Sequence, residues 1–110
     1  MESKGTLVDK FSNIEWIKDF VWFDGPFVSR IRENTQDYLF HWSDCDVTKN
    51  RWLVVEFSDE QLPLLHSSYK EFMRTRPNYW IVDIADDTTE AYSVVLEEIS
   101  EYLPNGNLFE

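Results

Sequence analysis

Three short apolar runs follow one another with little chain between them. Phe27 to Arg32 alternates, with Phe27, Ser29 and Ile31 on one face and Val28, Arg30 and Arg32 on the other. Tyr38-Leu39-Phe40-His41-Trp42 puts three aromatic rings on one face. Trp52 to Phe57 puts Leu53, Val55 and Phe57 on the inward side. A period of two marks a half-buried strand. Glu33 to Asp37 reads as a turn and Ser43 to Asn50 as a polar loop, both too short for a parallel crossover. Neighbouring strands so joined form an antiparallel meander.

Residues on either side extend this frame. Leu7, Phe11, Ile14, Ile17 and Val21 recur at spacings of three and four, which predicts a helix over 7–21, with Asp9 or Ser12 at its start. The alternative is a strand beginning at Phe20-Val21-Trp22-Phe23. Asp24-Gly25-Pro26 breaks either one, because Gly accepts positive φ and Pro fixes its own φ. Ser58 and Gln61 form a capping box, but Pro63 limits that helix to about one turn. A second start at Ser68, with Glu71 three residues on, turns Tyr69, Phe72 and Met73 to the core. Arg74 and Arg76 suit a helix C-terminal end, and Pro77 closes the segment. Tyr79 to Ile84 is a fourth strand with Trp80, Val82 and Ile84 on one face, and Ala91 to Leu96 a fifth. The tail from Glu97 to Glu110 offers Ile99, Tyr102, Leu103, Leu108 and Phe109 for docking. The expected fold is α+β: one antiparallel sheet of about five strands, an N-terminal helix, and a helical segment between the third and fourth strands.

Composition supports one domain over residues 1–110. Five Trp, five Tyr and eight Phe supply a core, which argues against disorder. The net charge is −11, from 21 acidic and 10 basic residues. Such a field repels nucleic acid backbones and anionic membranes and attracts basic protein surfaces. Plain solubility is the competing explanation. A single cysteine, Cys45, rules out an internal disulfide and fits a reducing compartment. The start Met1-Glu2-Ser3-Lys4-Gly5 lacks the pattern of a secretion signal, and no run approaches ~18 apolar residues. The expected location is the cytoplasm.

The order of short motifs resembles a family of small bacterial domains of unknown function. The motifs are Asp24-Gly25-Pro26, Tyr38-Leu39-Phe40-His41-Trp42, an acidic loop, and Arg51-Trp52-Leu53-Val54-Val55. Ser58-Asp59-Glu60-Gln61-Leu62, a Ser68-led helix and Tyr102-Leu103-Pro104 follow. The similarity spans about residues 20 to 104. It implies a β-rich domain with helices between the third and fourth strands, and a bacterial or phage origin. It implies no activity, cofactor or catalytic residue.

The polar residues point away from catalysis. Cys45 lies between Asp44 and Asp46, which raise rather than lower a thiol's pKa. Asp44 and Asp46 with Asn50 lack the Gly and the terminal Glu of a calcium loop. His41 and His66 lie in different elements and do not assemble a zinc site with one Cys; both are expected on the surface. Ser67 and Ser68 beside His66 read as caps rather than a nucleophile and base. Asp86-Asp87 and Glu97-Glu98 have the composition of an acid/base pair but no cleft to mark them as one. Arg30 and Arg32 are expected to pair across strands with Asp or Glu. No catalytic residue, metal ligand or cofactor is expected. Among the tryptophans, Trp52 is a candidate exposed anchor, since Trp is enriched in interface hot spots. The expected partner-binding residues are Asp44, Asp46, Asp86, Asp87, Glu97, Glu98 and Trp52. The expected function is a non-enzymatic acidic module whose partner is a basic protein surface, with nucleic-acid-binding proteins the concrete case. The alternatives are a homo-oligomeric accessory domain and a small carboxylate-dependent metal enzyme.

Overall fold

A computed structural model of the chain describes residues 10–22, 25–45, 48–85 and 88–103. They form one six-stranded sheet in chain order, every neighbour antiparallel. The strands are β1 (Glu15–Trp22), β2 (Pro26–Glu33), β3 (Gln36–Cys45), β4 (Lys49–Phe57), β5 (Tyr79–Ala85) and β6 (Thr89–Val94). Between β4 and β5 come a 3₁₀ turn (Asp59–Gln61), α1 (Leu62–Ser67) and α2 (Tyr69–Arg74). Two further 3₁₀ turns, Leu96–Glu98 and Ser100–Tyr102, follow β6.

The fold is therefore mostly β with six strands, not α+β with five and an N-terminal helix. The predicted helix over 7–21 is overturned where it is described: Lys10–Asn13 is a turn and β1 follows. The cause is visible in the pairing. The register of β1 on β2 shifts between Trp16 and Lys18 and again between Asp19 and Val21. Each extra residue breaks the two-residue period. Trp16 consequently packs on Phe40 and Trp52, while Phe20 reaches Phe57 across the sheet. Spacings of three and four are thus written by bulges as well as by helices. The expected loop 43–50 is shorter than predicted, because β3 runs to Cys45 and β4 starts at Lys49.

Both faces of the sheet are apolar. On one, Val28, Leu39, Leu53, Val55, Phe57 and Ile81 pack under Leu65 of α1 and Tyr69, Phe72 and Met73 of α2. Ile99 and Leu103 from the C-terminal turns complete that layer. The Ser58 N–H donates to Gln61 Oε1 at 2.9 Å, as the capping box predicts. Pro63 does not end the segment after one turn: it sits in the first turn of α1, where its missing N–H is tolerated, and helical backbone runs on to Ser67. On the other face Ile31, Tyr38, Phe40, Trp52, Val54, Val82 and Ala91 gather round Phe11. The Phe11 ring meets Tyr38, Phe40 and Trp80 edge-on at 4.8–5.7 Å. Trp16 of β1 and Trp52 of β4 have centroids 5.6 Å apart. Three strand spacings of a flat sheet would hold those strands about 14 Å apart, so the sheet curls round this face.

Phe11 plugs the curl at φ +63°, a left-handed conformation that costs an aromatic residue about 1–2 kcal/mol. Its N–H donates to the Glu33 carboxylate, and Lys10 Nζ lies 3.5 Å from the same side chain. Burial outweighs the strain. Phe11→Ala is expected to cost about 3–5 kcal/mol in urea denaturation. Trp22→Ala, at a side chain 64 % exposed, is expected to cost about 0.5 kcal/mol or less. Equal losses would contradict the plug.

Candidate protein interface

At one end of the sheet a single row crosses four strands: Asp44 pairs Arg51, Arg51 pairs Asp83, and Asp83 pairs Glu90. Asp83 is an acid within an otherwise apolar strand, and its side chain is 2 % exposed. A buried carboxylate needs a matched cation. Arg51 supplies one in a two-pronged contact, Nε to Oδ1 at 2.8 Å and Nη2 to Oδ2 at 2.9 Å. These bonds hold the Arg51 guanidinium well above its ordinary pKa. Lys49 Nζ stands 3.6 Å from the same carboxylate. The remaining prong, Arg51 Nη1, donates to Tyr102 Oη at 3.2 Å and ties down the C-terminal turn.

Two recesses share Arg51. One, of about 220 Å³, is lined by Asp44, Cys45, Lys49 and Arg51. The other, of about 350 Å³, runs between Ile81, Tyr92 and Val94 of the sheet and Glu98, Ile99, Glu101 and Tyr102 of the turns. Tyr92 Oη donates to Glu90 Oε1 at 3.2 Å on the same face. Asp44, Glu90, Glu97, Glu98 and Glu101 are all exposed. The Val95 N–H donates to Glu98 Oε1 at 3.0 Å, so the first turn is closed by one of its own acids.

The structure places Asp44 and Glu98 in two recesses that share Arg51 and leaves Glu97 exposed beside Glu98. Asp46, Asp86 and Asp87 lie outside the described residues. Trp52 is not an exposed anchor. It is 5 % exposed in the aromatic layer, and its indole N–H has no acceptor. The exposed tryptophans are Trp16 and Trp22, both on β1. Asp83 and Glu101 escaped the sequence reading. The available signal for Asp83 was its place at period two with Tyr79 and Ile81, on a strand otherwise apolar.

A second ion cluster explains Arg30 and Arg32. Asp37 accepts from Arg32 Nε and Arg30 Nε, both at 2.6 Å, and Arg30 Nη1 donates to Asp59 at 2.7 Å. The Arg32 and Arg30 bonds hold the Asp37 carboxyl below its usual value. The Arg30 guanidinium also lies 5.0 Å from the Phe57 ring centre. These contacts bear out the expected cross-strand pairing.

His41 corrects an expectation of exposure. It lies on the face opposite Tyr38 and Phe40, as its parity requires, but that face is also core. Its Nδ1 is hydrogen-bonded to Tyr69 Oη at 2.7 Å. His66 is exposed, as expected, and so is Cys45. Among the described residues no group of three His, Cys, Asp or Glu is placed to hold a metal ion. No described helix is long and apolar enough to cross a membrane. Searches of protein-family models, curated proteins and solved structures found no match to the chain.

Burial pushes His41 down to about 4 from an ordinary 6.5. Between those values the unfolded chain binds the extra proton and the native state does not, so stability falls as pH falls. The loss amounts to about 3 kcal/mol at most. His41→Gln, which keeps a polar partner for Tyr69, is expected to flatten the urea midpoint over that window. An unchanged slope would assign the acid sensitivity elsewhere.

Proposed function

We propose that this protein is a non-enzymatic acidic module that docks on a basic surface of another protein. One observation carries the reading: five basic side chains are ion-paired within the fold, to three acids, while other carboxylates are displayed outside it. Lys10 meets Glu33, Arg30 and Arg32 meet Asp37, and Lys49 and Arg51 meet Asp83. Exposed Glu98 and Glu101 then line a recess with apolar walls, Asp44 lines the neighbouring recess that shares Arg51, and exposed Glu90 shares the face of Tyr92. Low-dielectric walls focus such a field. The recess suits a Lys or Arg of a partner, with the methylene stem against Tyr92 and Val94 and the head among the acids. Phosphate backbones and anionic lipid surfaces carry the wrong sign. A concrete form is an inhibitor that sets carboxylates where phosphates would sit in a nucleic-acid-binding channel. Small acidic phage proteins acting against CRISPR or restriction complexes have this character. A reducing cytoplasm is the compartment that accords with the exposed thiol of Cys45.

The test is capture of partner proteins from a bacterial lysate, followed by titration of the captured protein. Binding is expected to weaken steeply from about 0.1 M to about 1 M salt, as the Debye length falls from about 10 Å to about 3 Å. Glu98→Lys with Glu101→Lys is expected to weaken it about tenfold or more, with duplex DNA not bound by either form. Recovery of no basic partner, or binding indifferent to salt and to both substitutions, would remove the proposal.

A second reading has its own observation. Trp16, Ile17 and Trp22 are exposed together on β1, at 45, 37 and 64 %. They favour a homo-oligomer joined by side-chain packing on β1, not by strand addition at its bulged edge. Solution mass separates the two: a stable dimer at low micromolar concentration supports self-association, and a monomer excludes it.

A further inference from the structure

The two edges of the sheet are built differently. β1 is broken by register shifts and carries Lys18 and Asp19 at its middle, devices that discourage another strand from adding. β6 pairs with β5 in unbroken register from Thr89 to Val94. It is the last strand of the sheet and has β5 as its only strand partner among the described residues. An edge of this kind presents a row of backbone N–H and C=O groups outward. Glu90, Tyr92 and Val94 share the face that carries the recess beside Arg51, and Glu98 and Glu101 stand across it.

Resting on the docking reading above, we propose that β6 receives an extended, Lys- or Arg-bearing segment of the partner protein as a seventh strand. Backbone hydrogen bonds to β6 hold the segment, and every second side chain falls on the recess face. There a basic side chain meets Glu90, Glu98 and Glu101 with Tyr92 beneath its stem. The six residues of β6 span about 20 Å, which matches an extended stretch of similar length. Charge complementarity selects the occupant. A second copy of this chain, at net charge −11, would bring like charges together along the same edge.

The probe is a capped peptide of about nine residues with alternating Lys and Thr, long enough to cover the edge. It is compared with a Glu/Thr peptide and with two copies N-methylated on either alternate set of backbone amides. The Lys peptide is expected to slow hydrogen exchange of β6 amides by about tenfold at saturation. One N-methylated copy is expected to bind about tenfold more weakly, the loss of good backbone hydrogen bonds. The Glu peptide is expected not to bind. If both N-methylated copies bind like the parent and β6 exchange is unchanged, strand addition is overturned. Should that binding still depend on Glu98 and Glu101, acidic docking survives without it. If the Lys peptide does not bind at all, strand addition falls, and docking stands or falls on the captured partner alone.

Discussion

A sheet with apolar side chains on both faces must be covered twice, and that requirement organises this molecule. The meander is continuous from β1 to β6, so no crossover helix covers either face. One face is closed by the helical insertion after β4, with Leu65, Tyr69, Phe72 and Met73 pressed on it and Ile99 and Leu103 added from the C-terminal turns. The other is closed by curling the sheet round Phe11 and laying Trp16 over Trp52. The aromatic excess is thereby absorbed. Large rings fill a curled surface where aliphatic side chains would leave gaps.

Much of this was legible from the sequence, for reasons that can be located. β2, β3, β4 and β5 keep a strict two-residue period in their middles, and each was placed by it. Ser58 with Gln61 and then Ser68 mark two helix starts, and Tyr69, Phe72 and Met73 are buried at helical spacing, whereas Pro63 did not stop the first helix because it falls in that helix's first turn. β1 failed because its bulges reproduce a helix-like spacing. Trp52 and His41 failed together, through one assumption: that alternation implies one wet face. Here Trp52 lies on one face of the sheet and His41 on the other, and both faces are dry. Alternation records a pleat; it does not say what covers each side.

The acidic surface is sharpened by the same packing. An Asp at position 83 falls inside because Tyr79, Ile81 and Asp83 share the covered face. Once inside, it must hold Arg51, and it draws Lys49 near as well. Asp37 does the same with Arg30 and Arg32. Two buried acids thus engage four basic side chains, which are then less free to offset the exposed carboxylates. The candidate site was therefore only half readable. Asp44 and Glu98 are visible as exposed acids in any strand-and-turn parse. The guanidinium their two recesses share depends on a cross-strand pair thirty-two positions apart in sequence.

Arg51 also answers why an acidic recess should contain a cation at all. Its charge is answered from below by Asp83, so it subtracts little from the field above. Its third prong is directed at Tyr102. That bond fixes the turn that carries Glu101, and the Val95 N–H bond to Glu98 fixes the turn before it. The carboxylates on the far wall are thus held by the fold rather than trailing on a loose segment. Ordering side chains and segments on binding costs affinity, so acids already fixed in place bind a cation more tightly than the same number on a tail. The Arg51–Asp83 pair, rooted in a buried acid, serves the surface by setting the position of charges it does not itself contribute.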